Sequence, residues 1–110
     1  MSWRFRQDRH RRDENARQIL QDLKDAGFSV RDLSQVGDDC MDAIVGRNGM
    51  DLKLEIKNPE TAYGRAGMTS GQKSAAEAWR GEPIIAVYST RDVLDAFDRL
   101  MMARRRAVTV

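Results

Sequence analysis

One cysteine, Cys40, and one histidine, His10, are all that this chain of 110 residues has of the two commonest soft metal ligands. A lone cysteine excludes an internal disulfide. With no Cys/His cluster a structural zinc site is not expected, and a reducing interior is the natural compartment. A Cys/His nucleophilic pair would require the arginine-rich stretch around His10 to fold over Cys40. No uninterrupted apolar run approaches membrane-spanning length and the N-terminus lacks the apolar core of a signal peptide, so a cytoplasmic protein with no membrane partner is expected. The Gly-Lys-Ser/Thr ending of a phosphate-binding loop is missing, as are internal repeats and low-complexity segments. The length suits one domain with a single core.

Charge is plentiful but unevenly spread. The formal net charge is only +2, yet Arg4, Arg6, Arg9, Arg11 and Arg12 crowd the start and Arg99, Arg104, Arg105 and Arg106 the end. This divides the chain into a basic arm over 1–12, a domain over 13–103 and a basic tail over 104–110. Basic ends around an acidic middle suit a phosphate backbone held by arginine; they equally suit solvated termini. Trp3 and Phe5, alternating with Arg4 and Arg6, fit an edge strand, a base-stacking surface or a subunit contact.

Ala16, Ile19, Leu20, Leu23 and Ala26 recur at helical spacing, which predicts a helix from an Asp13 N-cap to Gly27. The alternation of 28–33 predicts a strand, and Gly37-Asp38-Asp39-Cys40 a turn. Asp38 and Asp39 are rival metal ligands, though acids in turns commonly bond their own backbone. Two further strands are expected over 42–46 and 51–57 around the Asn48-Gly49 pair, which favours a tight hairpin. After Lys57, Asn58-Pro59 ends the strand and a flexible loop follows; there Arg65 is a candidate phosphate contact and Tyr63 a stacking one. Thr69-Ser70-Gly71-Gln72 has capping-box spacing and opens a helix that runs to Gly81 and lies on the sheet through Ala75, Ala76 and Trp79. The apolar run 83–88 predicts a strand buried on both faces and parallel to the Glu55 strand. Ser89 or Thr90 caps a last helix with Val93, Leu94, Phe97, Leu100 and Met101 as its stripe. The expected fold is therefore α/β: a mixed central sheet flanked by helices, in the order αβββαβα.

The middle hairpin holds the chemistry. With a period of two, Leu52, Leu54 and Ile56 share one face of the second arm and Lys53, Glu55 and Lys57 the other. Asp42, at the start of the antiparallel first arm, is expected opposite the end of the second, near Glu55 and Lys57. Two carboxylates beside an open side are what a hard divalent cation such as magnesium requires, and a neighbouring lysine can hold an attacking water and offset charge on a phosphate.

Asp42 on one arm and Glu55-Ile56-Lys57 on the other resemble the core motif of the PD-(D/E)XK phosphodiesterase superfamily, with Met41 where that family usually has proline. The run 42–49, then 54–57, then Met68-Thr69-Ser70-Gly71-Gln72, looks like small phage-type endonucleases of the VRR-NUC and Holliday-junction-resolvase-like groups, over about residues 13–97. The resemblance implies a restriction-endonuclease-like core, a DNA substrate, location in a host cytoplasm if phage-encoded, and a homodimer whose two sites address two strands. It implies Mg2+ (or Mn2+) on Asp42 and Glu55 with the Ile56 carbonyl, and Lys57 as the residue that positions water. Glu14 on the first helix would steady metal-bound water. Gln72 would face the site, a role its capping-box place neither requires nor forbids. Lys73 beside it, with Arg65, Tyr63, Arg9, Arg11 and Arg12, would touch nucleic acid. A metal-dependent endodeoxyribonuclease is the expected function. The alternatives are a non-catalytic nucleic-acid-binding module or phage regulator on the same scaffold, and a structural assembly protein.

Overall fold

The computed structural model describes residues 3–37 and 40–109, with side chains described over 14–37 and 40–107. The fold is α/β, a four-stranded mixed sheet flanked by helices. In chain order the elements are α1 (Trp3–Asp25), β1 (Ser29–Asp32), β2 (Ala43–Arg47), β3 (Met50–Ile56), α2 (Ala62–Arg65), α3 (Ser70–Ala78), β4 (Ile84–Val87) and α4 (Thr90–Thr109). The strands lie in the order β1-β2-β3-β4; the first two pairings are antiparallel and β3 runs parallel to β4.

Local chemistry explains most boundaries. Arg47 pairs with Met50, leaving Asn48 and Gly49 as a two-residue turn in which both residues have positive φ, 56° and 78°. That is the backbone of a tight hairpin turn whose twist matches the strands it joins. Gly27, with φ 92°, ends α1 in the left-handed conformation that most side chains resist. Ser89 Oγ accepts from the Asp92 amide at 3.1 Å and so caps α4.

Several boundaries differ from the sequence reading. The first helix starts at Trp3 rather than at an Asp13 cap, so the arm expected over 1–12 is largely helical backbone; the side chains of Arg9, Arg11 and Arg12 lie outside the described residues. No Gly or Pro interrupts 3–13, and Arg and Gln are good helix formers, so nothing local stops the helix at Asp13. Arg104, Arg105 and Arg106 belong to α4 for the same reason. The loop after Lys57 contains α2, an additional element in the expected order. Helix α3 stops at Ala78, before Gly81, and has no buried residue; Trp79 is exposed rather than laid into the sheet. β4 is not buried on both faces: Ile84 and Val87 are buried, whereas Ile85 and Ala86 are half-buried. Among the described residues it is an edge strand, with neighbouring strand backbone on one side only.

The core lies on one side of the sheet. Ile19, Leu20 and Leu23 of α1 and Val93 and Phe97 of α4 meet Ala43, Val45, Leu52, Leu54 and Ile56. Phe28 and Phe97 stack edge to face, 5.1 Å between ring centroids, and the Arg47 guanidinium covers Phe28 at 4.2 Å. On the opposite side of β3, Gln72 of α3 reaches Glu55 and Lys57.

Candidate active site

Strand β3 alternates buried and less buried residues from Met50 to Leu54 and then breaks the pattern. Glu55, 2% exposed, and Lys57, 3% exposed, are buried although they point away from the apolar core. Removing an ion from water costs several kcal/mol unless partners replace the water. Gln72 is the partner shared by both. Its Nε2 donates to Glu55 Oε2 at 3.1 Å, while its Oε1 accepts from Lys57 Nζ at 2.9 Å and from the Thr69 amide at 3.0 Å. The amide group is thereby oriented, since only its carbonyl can face two donors and only its NH2 can face the carboxylate.

Helix α3 holds that arrangement. Thr69 Oγ1 accepts from the Gln72 amide at 3.2 Å, so the capping box is formed. The two roles that left Gln72 ambiguous in the sequence are met by one side chain: the oxygen that closes the cap also meets Lys57. The Lys57 ammonium additionally lies 5.0 Å from the centre of the Tyr63 ring.

Asp42 reaches the same strand by another route. Its amide donates to the Leu54 carbonyl at 2.9 Å although Ala43 is the residue paired with Leu54. Two residues of one strand thus face one residue of the other, the mark of a β-bulge, which re-aims a side chain. Asp42 is consequently not a simple cross-strand neighbour of Glu55 on one face. Its Oδ2 accepts from the Ile56 amide at 2.7 Å, at the peptide unit that joins Glu55 to Ile56. In a strand the N–H and C=O of one residue point to the same side, so the Ile56 carbonyl faces the Asp42 edge too.

Glu14 lines a cleft of about 400 Å³ with Asn15, Asn58, Pro59 and Glu60, at the end of β3. Asn15 was missed by the sequence reading. Its Nδ2 donates to the Lys57 carbonyl at 2.9 Å and ties α1 to the motif. A signal for it existed: Asn15 stands four and eight residues before Ile19 and Leu23, on the buried stripe of α1, where a polar group requires a partner. Arg65 donates to the Pro59 carbonyl at 3.2 Å, and Lys73 is exposed on α3. Cys40 Sγ lies 3.6 Å from Met41 Sδ. Asp38 and Asp39 lie outside the described residues.

The segment after Lys57 is a built turn rather than a flexible loop. Asn58 and Thr61 are buried; Thr61 bonds the Asn58 carbonyl and accepts from the Gly64 amide at 2.9 Å. A Cβ on Gly64 would stand 1.8 Å from the Asn58 carbonyl oxygen. Gly64→Ala is therefore expected to push α2 and Tyr63 away from Lys57, with a destabilisation of about 1–3 kcal/mol from overpacking. Denaturant unfolding measures the loss, and a change below a few tenths of a kcal/mol would show the turn to be loose.

Among the described residues no three His, Cys, Asp or Glu side chains gather as a metal-holding group. The donors along this stretch of β3 are oxygens: the Asp42 carboxylate bonded to the Ile56 amide, the Ile56 carbonyl beside it, and the Glu55 carboxylate bonded to Gln72. Such a set suits magnesium, which keeps several waters and takes few protein ligands, and does not suit zinc. No described helix is long and apolar enough to cross a membrane. No family model, curated protein or solved structure matches the chain.

Proposed function

We propose that this protein is a divalent-metal-dependent endonuclease that hydrolyses DNA phosphodiester bonds. Its core would be of the restriction-endonuclease-like PD-(D/E)XK type, similar in motif order to VRR-NUC and Holliday-junction-resolvase-like enzymes. The observation that carries this reading is the Gln72 bridge between buried Glu55 and Lys57, beside a peptide anchored by Asp42. A fold built for stability alone gains little from burying an acid and a base that an apolar pair could replace.

Asp42, Glu55 and the Ile56 carbonyl would hold Mg2+ or Mn2+. When bound, such an ion polarises the phosphoryl oxygen and stabilises the leaving alkoxide. Lys57, steered by Gln72 and Tyr63, positions the attacking water and offsets negative charge growing on the phosphate. Glu14, at the end of β3, steadies water at the rim of the site. Arg65, Lys73 and Tyr63 contact the DNA backbone or bases, with Arg9, Arg11 and Arg12 extending that contact along α1. Two copies acting together would address two strands, which suits branched DNA.

Incubation with supercoiled plasmid and with a synthetic four-way junction tests this directly. Cuts are expected that require Mg2+ or Mn2+ and vanish in Glu55→Ala and Lys57→Ala. Retarded but intact DNA, with or without metal, would identify a binding module instead.

A further inference from the structure

Between α1 and the β1 edge runs a cleft of about 650 Å³. One wall carries Arg17, Gln21 and Lys24; Val30 and Asp32 stand across from them, and Asp42 and Ile56 belong to the same lining. The three residues of α1 follow the i, i+4, i+7 spacing of a single helix face. Their span along the axis is about 10 Å at 1.5 Å per residue, against one phosphate per roughly 3.4 Å of axis on each strand of duplex DNA.

Several other cations of the fold are already engaged. Arg47 bonds the Ala26 carbonyl, Arg65 the Pro59 carbonyl, Arg91 pairs with Asp95 and Arg104 with Glu82. Arg17 and Lys24 form no side-chain hydrogen bond or ion pair among the described residues, and Gln21 is held only by Asp25 on its own helix. Asp32, an exposed acid across the cleft, accepts from the Ser34 amide and hydroxyl, which replace part of its hydration. Unpaired cations on an exposed helix are ordinary by themselves. Here they line a cleft whose lining includes the carboxylate and the peptide proposed to hold the metal.

We propose that this cleft is the channel along which a DNA strand reaches the Asp42 end of the site, with Arg17 and Lys24 binding phosphates about three steps apart on that strand and Gln21 between them. It deepens the nuclease reading by naming the substrate's path, and it depends on that reading only for what happens at the channel's end. Strand binding there is electrostatic and indifferent to sequence, so it carries a salt signature.

The test is binding of a short labelled duplex to the full chain, followed by anisotropy in EDTA so that no cutting intervenes. Arg17→Ala/Lys24→Ala should bind roughly tenfold or more weakly at low salt, and the slope of log affinity against log salt should fall by about 1.8, or 0.9 for each lost contact. Arg17→Gln/Lys24→Gln, which keeps helix propensity and length, should behave alike. Arg91→Ala/Arg99→Ala on α4 removes equal charge and should leave the slope unchanged. Equal loss in the α4 variant, an unchanged slope in both Arg17/Lys24 variants, or no binding by the wild type would each overturn the channel. Binding that depends on Arg17 and Lys24 but is never followed by metal-dependent cutting would retain the channel and end the nuclease reading. Cutting by a protein whose affinity ignores both residues would do the reverse.

Discussion

Glu55→Gln is expected to leave the protein folded and to lower metal-dependent DNA cleavage by about a thousandfold or more. A cation at such a site contributes several kcal/mol to stabilising the transition state, and three decades of rate correspond to about 4 kcal/mol. An amide oxygen has neither the charge nor the basicity to hold the ion in competition with water. The fold tolerates the change because Gln72 Nε2 can donate to an amide oxygen as it does to the carboxylate. Loss of the carboxylate relieves its own desolvation but leaves the buried Lys57 ammonium without a countercharge, so thermal stability should fall rather than rise. Glu55→Ala separates the two effects: it strands the Gln72 donor and should cost about 1–3 kcal/mol of stability in addition to activity. Plasmid cutting and thermal unfolding, measured on the same preparations, read these quantities independently. Wild-type rates of cutting in the Gln variant would remove Glu55 from the chemistry.

Phe97→Ala is expected to destabilise the protein by about 3–5 kcal/mol. Phe97 is fully buried, packs edge to face on Phe28 and lies 5.3 Å below the Arg47 guanidinium. Its loss would loosen α4 from the sheet and remove an aromatic contact worth about 0.5–1.5 kcal/mol beyond its area. A domain of this size has roughly 5–15 kcal/mol in total, so the variant should be near the edge of stability at physiological temperature. A urea titration should show a lower midpoint with an unchanged slope. A loss below about 1 kcal/mol would mean that the gap left by the ring collapses almost completely.

Much of this architecture was legible because it follows from local periodicity. Leu52 and Leu54 alternate with Asp51 and Lys53, and a strand with one buried face can satisfy that pattern in only one register. Asn48-Gly49 fixed the hairpin, since few other pairs accept positive φ twice. The capping box at Thr69 was readable for a similar reason: its partners are three residues apart. Less legible was the length of α1. Its first turns lack an apolar stripe, and a charged run without Gly or Pro is compatible with helix and coil alike. The α2 turn escaped notice because Thr61 and Gly64 acquire meaning only from the Asn58 carbonyl beneath them.

The candidate site divides along the same line. The alternation of β3 was enough to put Glu55 and Lys57 on one face, because side-chain direction in a strand depends only on parity. Three features were decided by tertiary structure alone: the burial of both ions, the Gln72 bridge from a helix fifteen residues beyond Lys57, and the bulge that turns Asp42 onto the Ile56 amide. Each depends on how far apart two elements settle after the core has packed. A chain's local pattern specifies which way a group points, whereas only long-range packing specifies what it meets.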